Sequence, residues 1–378
     1  MTHIGRNLLK LQIPENIQAI TPYPPGKPLD ELEREYGVKN SIKLASNENP
    51  WGPSPKAIAA IQDALGSLNR YPDGSSYYLT QAIAKHFGMS AQEIVLGSGS
   101  NEVIEFLVKA FVGVDDEVIT SHPSFLMYQK FVQVRGGKNL VLPLKGMRHD
   151  LQAILASVTA RTRLVFLDNP NNPTGTYINP ADLYTFLSAM PEHVIVVLDE
   201  AYVDFMDMSY QVDIYSLIKN SDGRCPVVSL RTFSKAYGLS GLRVGFGLMA
   251  KEIADCLHKV RQPFNMNSLA QVAALAALED TAFFDQTIKK TITGRNILMR
   301  GVEELGCKSY PSETNFFLID VGGDADALYN AMLYKGVIVR SMRAYGFPQC
   351  IRITIGTDEE NARFLNAFSE CLKELEYV

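Results

Sequence analysis

The stretch SLRTFSKAYGLSGLRVGFG, residues 229–247, concentrates side chains that could do chemistry. Thr232 and Ser234 closely precede Lys235, and Arg243 follows eight residues later. A lysine that can lose its proton in a partly buried site is an amine nucleophile able to form a Schiff base. Hydroxyls beside an arginine make a phosphate site, because the guanidinium fork matches phosphate oxygens. Gly238, Gly241, Gly245 and Gly247 remove side chains that would keep a ligand off the backbone. Taken alone, a solvated lysine and a surface arginine would explain the same residues.

Three other stretches bear on that choice. In VIVVLDEAYVDF, Asp199 follows five apolar residues, and Tyr202 comes three residues later. A carboxylate at a buried strand end needs a partner or loses its charge. One candidate partner is Mg²⁺ in a nucleotide hydrolase, but that chemistry needs GxxxxGK[ST], which is missing here. The other is a protonated aromatic nitrogen, the pyridinium of a pyridoxal phosphate site. DNPNNPTG, residues 168–175, is an Asn/Pro/Gly turn after an apolar run and offers the amide of Asn172. GSGSNE, residues 97–102, joins a short strand to a helix with Ser100 as the expected N-cap, an arrangement that suits an anion. It lacks the third glycine of a dinucleotide fingerprint.

These residues need a scaffold. Seven strand-like runs alternate with helical ones: 93–96, 117–120, 140–144, 164–167, 194–198, 227–230 and 243–248. Several are continuously apolar, as strands covered on both faces should be. The pattern predicts an α/β fold with a seven-stranded, mostly parallel sheet. Its site would lie outside the carboxyl ends of the strands, where Ser100, Asn172, Asp199 and Lys235 fall. After about residue 268 the chain reads as helix through 305. A strand (315–321), a helix (325–335), two strands (337–341 and 350–355) and a closing helix follow. We expect a large domain over 46–270, and a smaller α/β domain formed by 271–378 with the N-terminal arm 1–45.

At 378 residues, 46% hydrophobic and 20% charged, the composition is that of an ordinary soluble protein. A net charge of −5 gives no electrostatic case for nucleic acid or an anionic membrane. The five cysteines are scattered without a CxxC pair, which predicts reduced thiols, a cytoplasmic location and no metal site.

NPNNPTG, then Asp199 with Tyr202, then Ser234-Lys235 with Arg243, together resemble the fold-type I pyridoxal-phosphate aminotransferases. TPYPPGKP, LASNENPWGP, NRYPDG, GSGSNE, RQPFNMNS and ETNFFLI are similar, more narrowly, to the histidinol-phosphate aminotransferases, and this likeness runs over essentially the whole chain. The resemblance implies pyridoxal 5'-phosphate as cofactor. It implies Lys235 as the Schiff-base lysine and proton shuttle, and Asp199 on the ring nitrogen. Tyr202 and Asn172 would bond the phenolate oxygen, and Phe125 would stack on the ring, where a tyrosine is common. The phosphate would lie on the backbone of Ser100 and Asn101 with Ser234 and Arg243. Tyr71 would reach it from a neighbouring subunit, which implies a homodimer. Arg352 would clamp the substrate carboxylate. Tyr23, Asn101, Arg340 and, across the dimer, Phe264 would surround the variable part of the substrate. The implied reaction passes an amino group from histidinol phosphate to 2-oxoglutarate, giving imidazole acetol phosphate and glutamate. An aromatic aminotransferase, a threonine-phosphate decarboxylase-like enzyme and a non-catalytic cofactor-binding module remain alternatives.

Overall fold

The computed structural model describes residues 12–22, 28–219 and 224–377. Its strands, in chain order, are β1 (Ile42–Lys43), β2 (Ile94–Gly97), β3 (Glu117–His122), β4 (Lys138–Pro143), β5 (Thr162–Asp168), β6 (Ile195–Asp199) and β7 (Val227–Thr232). They continue with β8 (Gly245–Leu248), β9 (Lys308–Ser309), β10 (Phe316–Asp320), β11 (Val337–Ile338), β12 (Arg340–Ser341) and β13 (Cys350–Thr354). β2 to β8 form the expected seven-stranded sheet, in the order β2-β8-β7-β6-β5-β3-β4. All its pairings are parallel except those of β8, which runs antiparallel to both neighbours.

Period-two alternation builds a core on each face of this sheet. Val165, Leu167, Val196 and Leu198 pack into one cluster, while Leu164, Phe166, Ile195 and Val197 pack into the other. The helices Ser100–Phe111 and Lys251–Val260 cover the second face. The first is covered in part by Tyr77–Phe87, Pro180–Ala189 and Ser268–Leu278. Ser268–Leu278 begins two residues before the expected seam at 270, yet it buries Ala270, Ala273, Ala274 and Ala277 with the large sheet.

A four-stranded antiparallel sheet, β12-β13-β10-β9, forms a separate core with the helices Ala325–Tyr334 and Asp358–Glu374. The arm joins it: β1 pairs with β11, and Leu44 enters this core. Residues 337–341 were expected as one strand. They form two, β11 and β12, in different sheets, so one run edges the arm and the other meets β13.

Helix starts follow local chemistry. Ser54 accepts from Ala57 N at 3.1 Å ahead of Pro55, as expected for a cap worth about 1 kcal/mol. Ser100 is not the cap of its helix. Gly99 holds that position at φ 77°, ψ 160°, and Ser100 is the first helical residue. That backbone conformation is essentially reserved for glycine.

Candidate active site

The parallel strands β2, β5, β6 and β7 end at one edge of the large sheet. β8 reverses there, so the loop from β7 to β8 stays at that edge and carries both Ser234-Lys235 and Arg243. A cavity of about 450 Å³ opens at this edge. Ser100, Asn101, Phe125, Asn172, Asp199, Tyr202, Ser234, Lys235 and Arg243 all line it, so nine of the expected positions converge.

Asp199 ends β6 and is buried. Its Oδ2 accepts from the Tyr128 hydroxyl at 2.7 Å and its Oδ1 from Ala201 N at 3.2 Å. Burial lifts its carboxyl to about 7; the Tyr128 hydroxyl opposes the rise and the nearby Asp168 adds to it. Among the described residues it has no ion-pair partner. A protonated ring nitrogen would supply one and return the carboxyl toward its ordinary range.

Lys235 is half-buried, with Nζ 3.1 Å from Asn47 O and 5.4 Å from the centre of the Tyr202 ring. Burial draws its ammonium down to about 8; Arg352 and Arg243 add to the fall, while Glu48 and Asp199 oppose it. An amine lowered in this way has the character a nucleophile needs. Tyr202 accepts from Asn47 Nδ2 at 2.9 Å, and burial pushes its hydroxyl up to about 12, so it stays protonated as a donor.

The corner that could hold an anion is built from backbone. β2 ends at Gly97, and the turn is held by Glu102, whose Oε2 accepts from Ser98 N at 2.6 Å and Asn265 Nδ2 at 2.7 Å. Arg243, at φ 58°, comes before β8 rather than inside it as expected. A Cβ at Gly245 would lie 2.3 Å from Ser100 N, so glycine lets the helix start sit on the strand. A Cβ at Gly99 would lie 2.6 Å from Arg243 Nη2. The helix N-terminus, the guanidinium and the Ser234 hydroxyl are donors fit for a phosphate. Asn101 also lines the cavity, with its side-chain oxygen buried and unpartnered among the described residues.

Arg352, on β13, donates to Asn172 Oδ1 through Nη1 and to Ala45 O at 3.0 Å through Nη2, with its guanidinium over Phe316. Arg340 pairs with Arg352 in register across β12 and β13 but lines a separate cavity with Tyr329 and Arg343. Tyr71 and Phe264 are outside the cavity. They stack on each other at the surface with centroids 4.9 Å apart, and Tyr71 is 83% exposed. Tyr23 lies outside the described residues.

Sequence reasoning missed Tyr128, Asp168 and Asn47. Tyr128 sits in HPSFLMY three residues after Phe125, and nothing local separates it from a packing aromatic. Asp168 opens the very turn that was singled out, after an apolar run like that of Asp199, and that likeness was the available signal.

Residues 39–368 match the family described as aminotransferase class I and II. The chain is 70% identical over 370 residues to a histidinol-phosphate aminotransferase of Desulfotalea psychrophila, covering 98% of each protein. It is 46% identical to histidinol-phosphate aminotransferase 1 of Nitrosococcus oceani, over 95% of this chain and 96% of that one. The crystal structure of histidinol-phosphate aminotransferase from Sinorhizobium meliloti in complex with pyridoxal-5'-phosphate superposes with a TM-score of 0.89 at 31% identity, covering 96% of this chain and 98% of that one. With Lys235, Asp199 and Arg243 gathered at one sheet edge and the likeness extending over the whole fold, this chain belongs to the class I and II aminotransferases.

Proposed function

We propose that this protein is a pyridoxal-phosphate-dependent aminotransferase that takes the amino group of histidinol phosphate and passes it to 2-oxoglutarate, with imidazole acetol phosphate and glutamate as products. The observation that carries the substrate is the 70% identity over 98% of both chains to an enzyme of that name. The reaction class is supported independently by the half-buried Lys235 facing the cavity that Asp199 and Arg243 also line.

The bound cofactor supplies the electron sink that lets the amine's α-carbon lose a proton. This chain's residues do the rest. Lys235 Nζ would hold the cofactor and move a proton at the substrate α-carbon. Asp199 would keep the ring nitrogen protonated, as a nearby opposite charge favours the charged form. Tyr202 and the Asn172 amide would donate toward the phenolate oxygen, and Phe125 would cover the ring. The N-terminus of the helix Ser100–Phe111, Ser234 and Arg243 would hold the phosphate. Arg352 takes the carboxylate of glutamate, and we assign the variable part of the substrate to Asn101, Arg340 and Tyr23, with Phe264 across a dimer.

We further infer a homodimer. Tyr71 and Phe264 form an exposed aromatic pair, and Leu65, Leu68, Tyr77 and Tyr78 nearby in sequence are exposed as well. A second copy would cover them, with Tyr71 reaching the partner's phosphate. We treat 46–270 as the cofactor-holding unit and 271–378 with the arm as the unit that carries Arg352. The free thiols of all five cysteines fit a cytoplasmic protein. None of the described helices is long and apolar enough to cross a membrane.

A panel of amino donors against 2-oxoglutarate tests the reading. Histidinol phosphate should give the highest kcat/KM, and a preference for phenylalanine would transfer the assignment to an aromatic aminotransferase.

A further inference from the structure

Among the described residues, the roles above leave unused a buried titratable cluster that reaches the cavity. Asp168 ends β5 in register with Asp199 at the end of β6, so two buried carboxylates face the same sheet edge. Asp168 Oδ1 is 3.0 Å from His149 Nε2 and accepts from Asn171 Nδ2 at 3.0 Å; Oδ2 accepts from Asn172 N at 3.0 Å. The other ring nitrogen, His149 Nδ1, is 2.7 Å from Ser121 Oγ. His149 is only 8% exposed.

His149 Nε2 is also 3.2 Å from the backbone oxygen of Asp168, which only accepts, so Nε2 carries the hydrogen that points at Asp168. The contacts then form one path: Ser121 orients His149, His149 holds Asp168, Asp168 holds the backbone of Asn172, and the Asn172 side chain receives Arg352. Because Oδ1 of Asn172 is taken by Arg352, its NH₂ is the end left to donate.

We propose that His149 is a positioning residue of the site: through Asp168 it fixes the Asn172 turn, and through Asn172 the Arg352 guanidinium. The fixing follows from the contacts themselves; only the ligands named for Asn172 and Arg352 rest on the aminotransferase reading. Without the Nε2–H donor, the buried Asp168 side chain is short of a hydrogen bond and relaxes by turning, which weakens its hold on Asn172 N. The groups that face Asp168 are His149, Asp199, Tyr128 and Tyr202, with Lys235 and Arg243 lining the same cavity.

The test uses the cofactor-loaded protein and the variants His149→Leu, His149→Gln and Asp168→Asn. His149→Leu should raise KM for 2-oxoglutarate roughly tenfold, the equivalent of about 1.4 kcal/mol, and change kcat less. It should also move the midpoint of the pH titration of the bound cofactor's absorbance upward, because a looser Asn172 donates less well to the phenolate oxygen. His149→Gln, whose Nε2 can donate to the same carboxylate, should restore both readouts. Asp168→Asn keeps an acceptor for His149 and loses one for Asn172 N, so it should repeat the leucine phenotype even if the leucine variant fails to fold. A folded His149→Leu or Asp168→Asn protein with wild-type KM and wild-type midpoint, changed only in Tm, would reduce His149 to a buried structural histidine. A wild type that cannot use 2-oxoglutarate would defeat the aminotransferase reading instead, while the absorbance midpoint would still report on the positioning.

Discussion

Replacing Asp199 by asparagine should stabilise the cofactor-free protein and disable the loaded one. The carboxyl titrates near 7 when folded, against 3.8 in its ordinary setting, chiefly because it is buried. Between those two values the folded chain binds more protons than the unfolded chain, so stability falls as pH rises through the window and is level above it. The full difference is about 4 kcal/mol, present above pH 7 and nearly gone at pH 4. Asparagine carries no charge and so avoids this cost. It keeps one acceptor where the carboxylate used two, for Tyr128 and Ala201 N, and that lost hydrogen bond returns about 1 kcal/mol. The cofactor-free variant should therefore be about 3 kcal/mol more stable than wild type at pH 8, with the gap closing toward pH 4.

Cofactor should reverse the order. A protonated ring nitrogen would pair with the carboxylate and would have no comparable partner in asparagine, so the loaded variant should release cofactor more readily and lose activity by orders of magnitude. Urea midpoints at pH 4, 6 and 8, with and without pyridoxal phosphate, read both halves. A cofactor-free variant no more stable than wild type at pH 8, or a gap that does not change with pH, would show that Asp199 is not the strained charge the geometry makes it.

Four further substitutions probe neighbouring parts of the site. Tyr128→Phe removes the hydroxyl that holds Asp199 down, so the fall in stability of the cofactor-free protein should continue to higher pH, with a further loss of about 1–3 kcal/mol for the unpaired oxygen, measured by the same urea series. Gly99→Ala places a methyl against the Arg243 guanidinium at a positive φ; it should cost about 1–3 kcal/mol and speed loss of cofactor on dialysis, read by absorbance. Arg340→Gln should raise KM for histidinol phosphate far more than for phenylalanine, whereas Arg352→Lys should damage the glutamate half-reaction, since lysine cannot make the two-pronged carboxylate contact. Equal losses for both donors in Arg340→Gln would remove that arginine from phosphate recognition.

Which residues could be read from sequence follows from how far their partners lie along the chain. Lys235, Asp199 and Asn172 were legible because each follows an apolar run, and a parallel sheet sends the ends of such runs to one edge. Seven runs also gave the strand number. The direction of β8 was not legible, because an apolar tetrapeptide fits a sheet either way up. Its reversal is what returns the β7–β8 loop to the edge where Arg243 meets the Ser100 turn. Gly99 took the cap from Ser100 for a reason outside the local sequence: the chain must pass between β8 and the Arg243 guanidinium, a demand set by residues more than 140 positions away. Tyr128 and His149 share that condition. Each looks like ordinary filling in its own segment, and becomes part of the site only when a carboxylate from another strand arrives at 2.7 Å or 3.0 Å. Residues proposed to touch the ligand therefore sit on motifs, whereas the residues that hold those motifs in place come from other segments of the chain. Asp199 shows why the second group matters: burial alone would leave its carboxyl protonated near neutral pH, and Tyr128 is the first group that works against that.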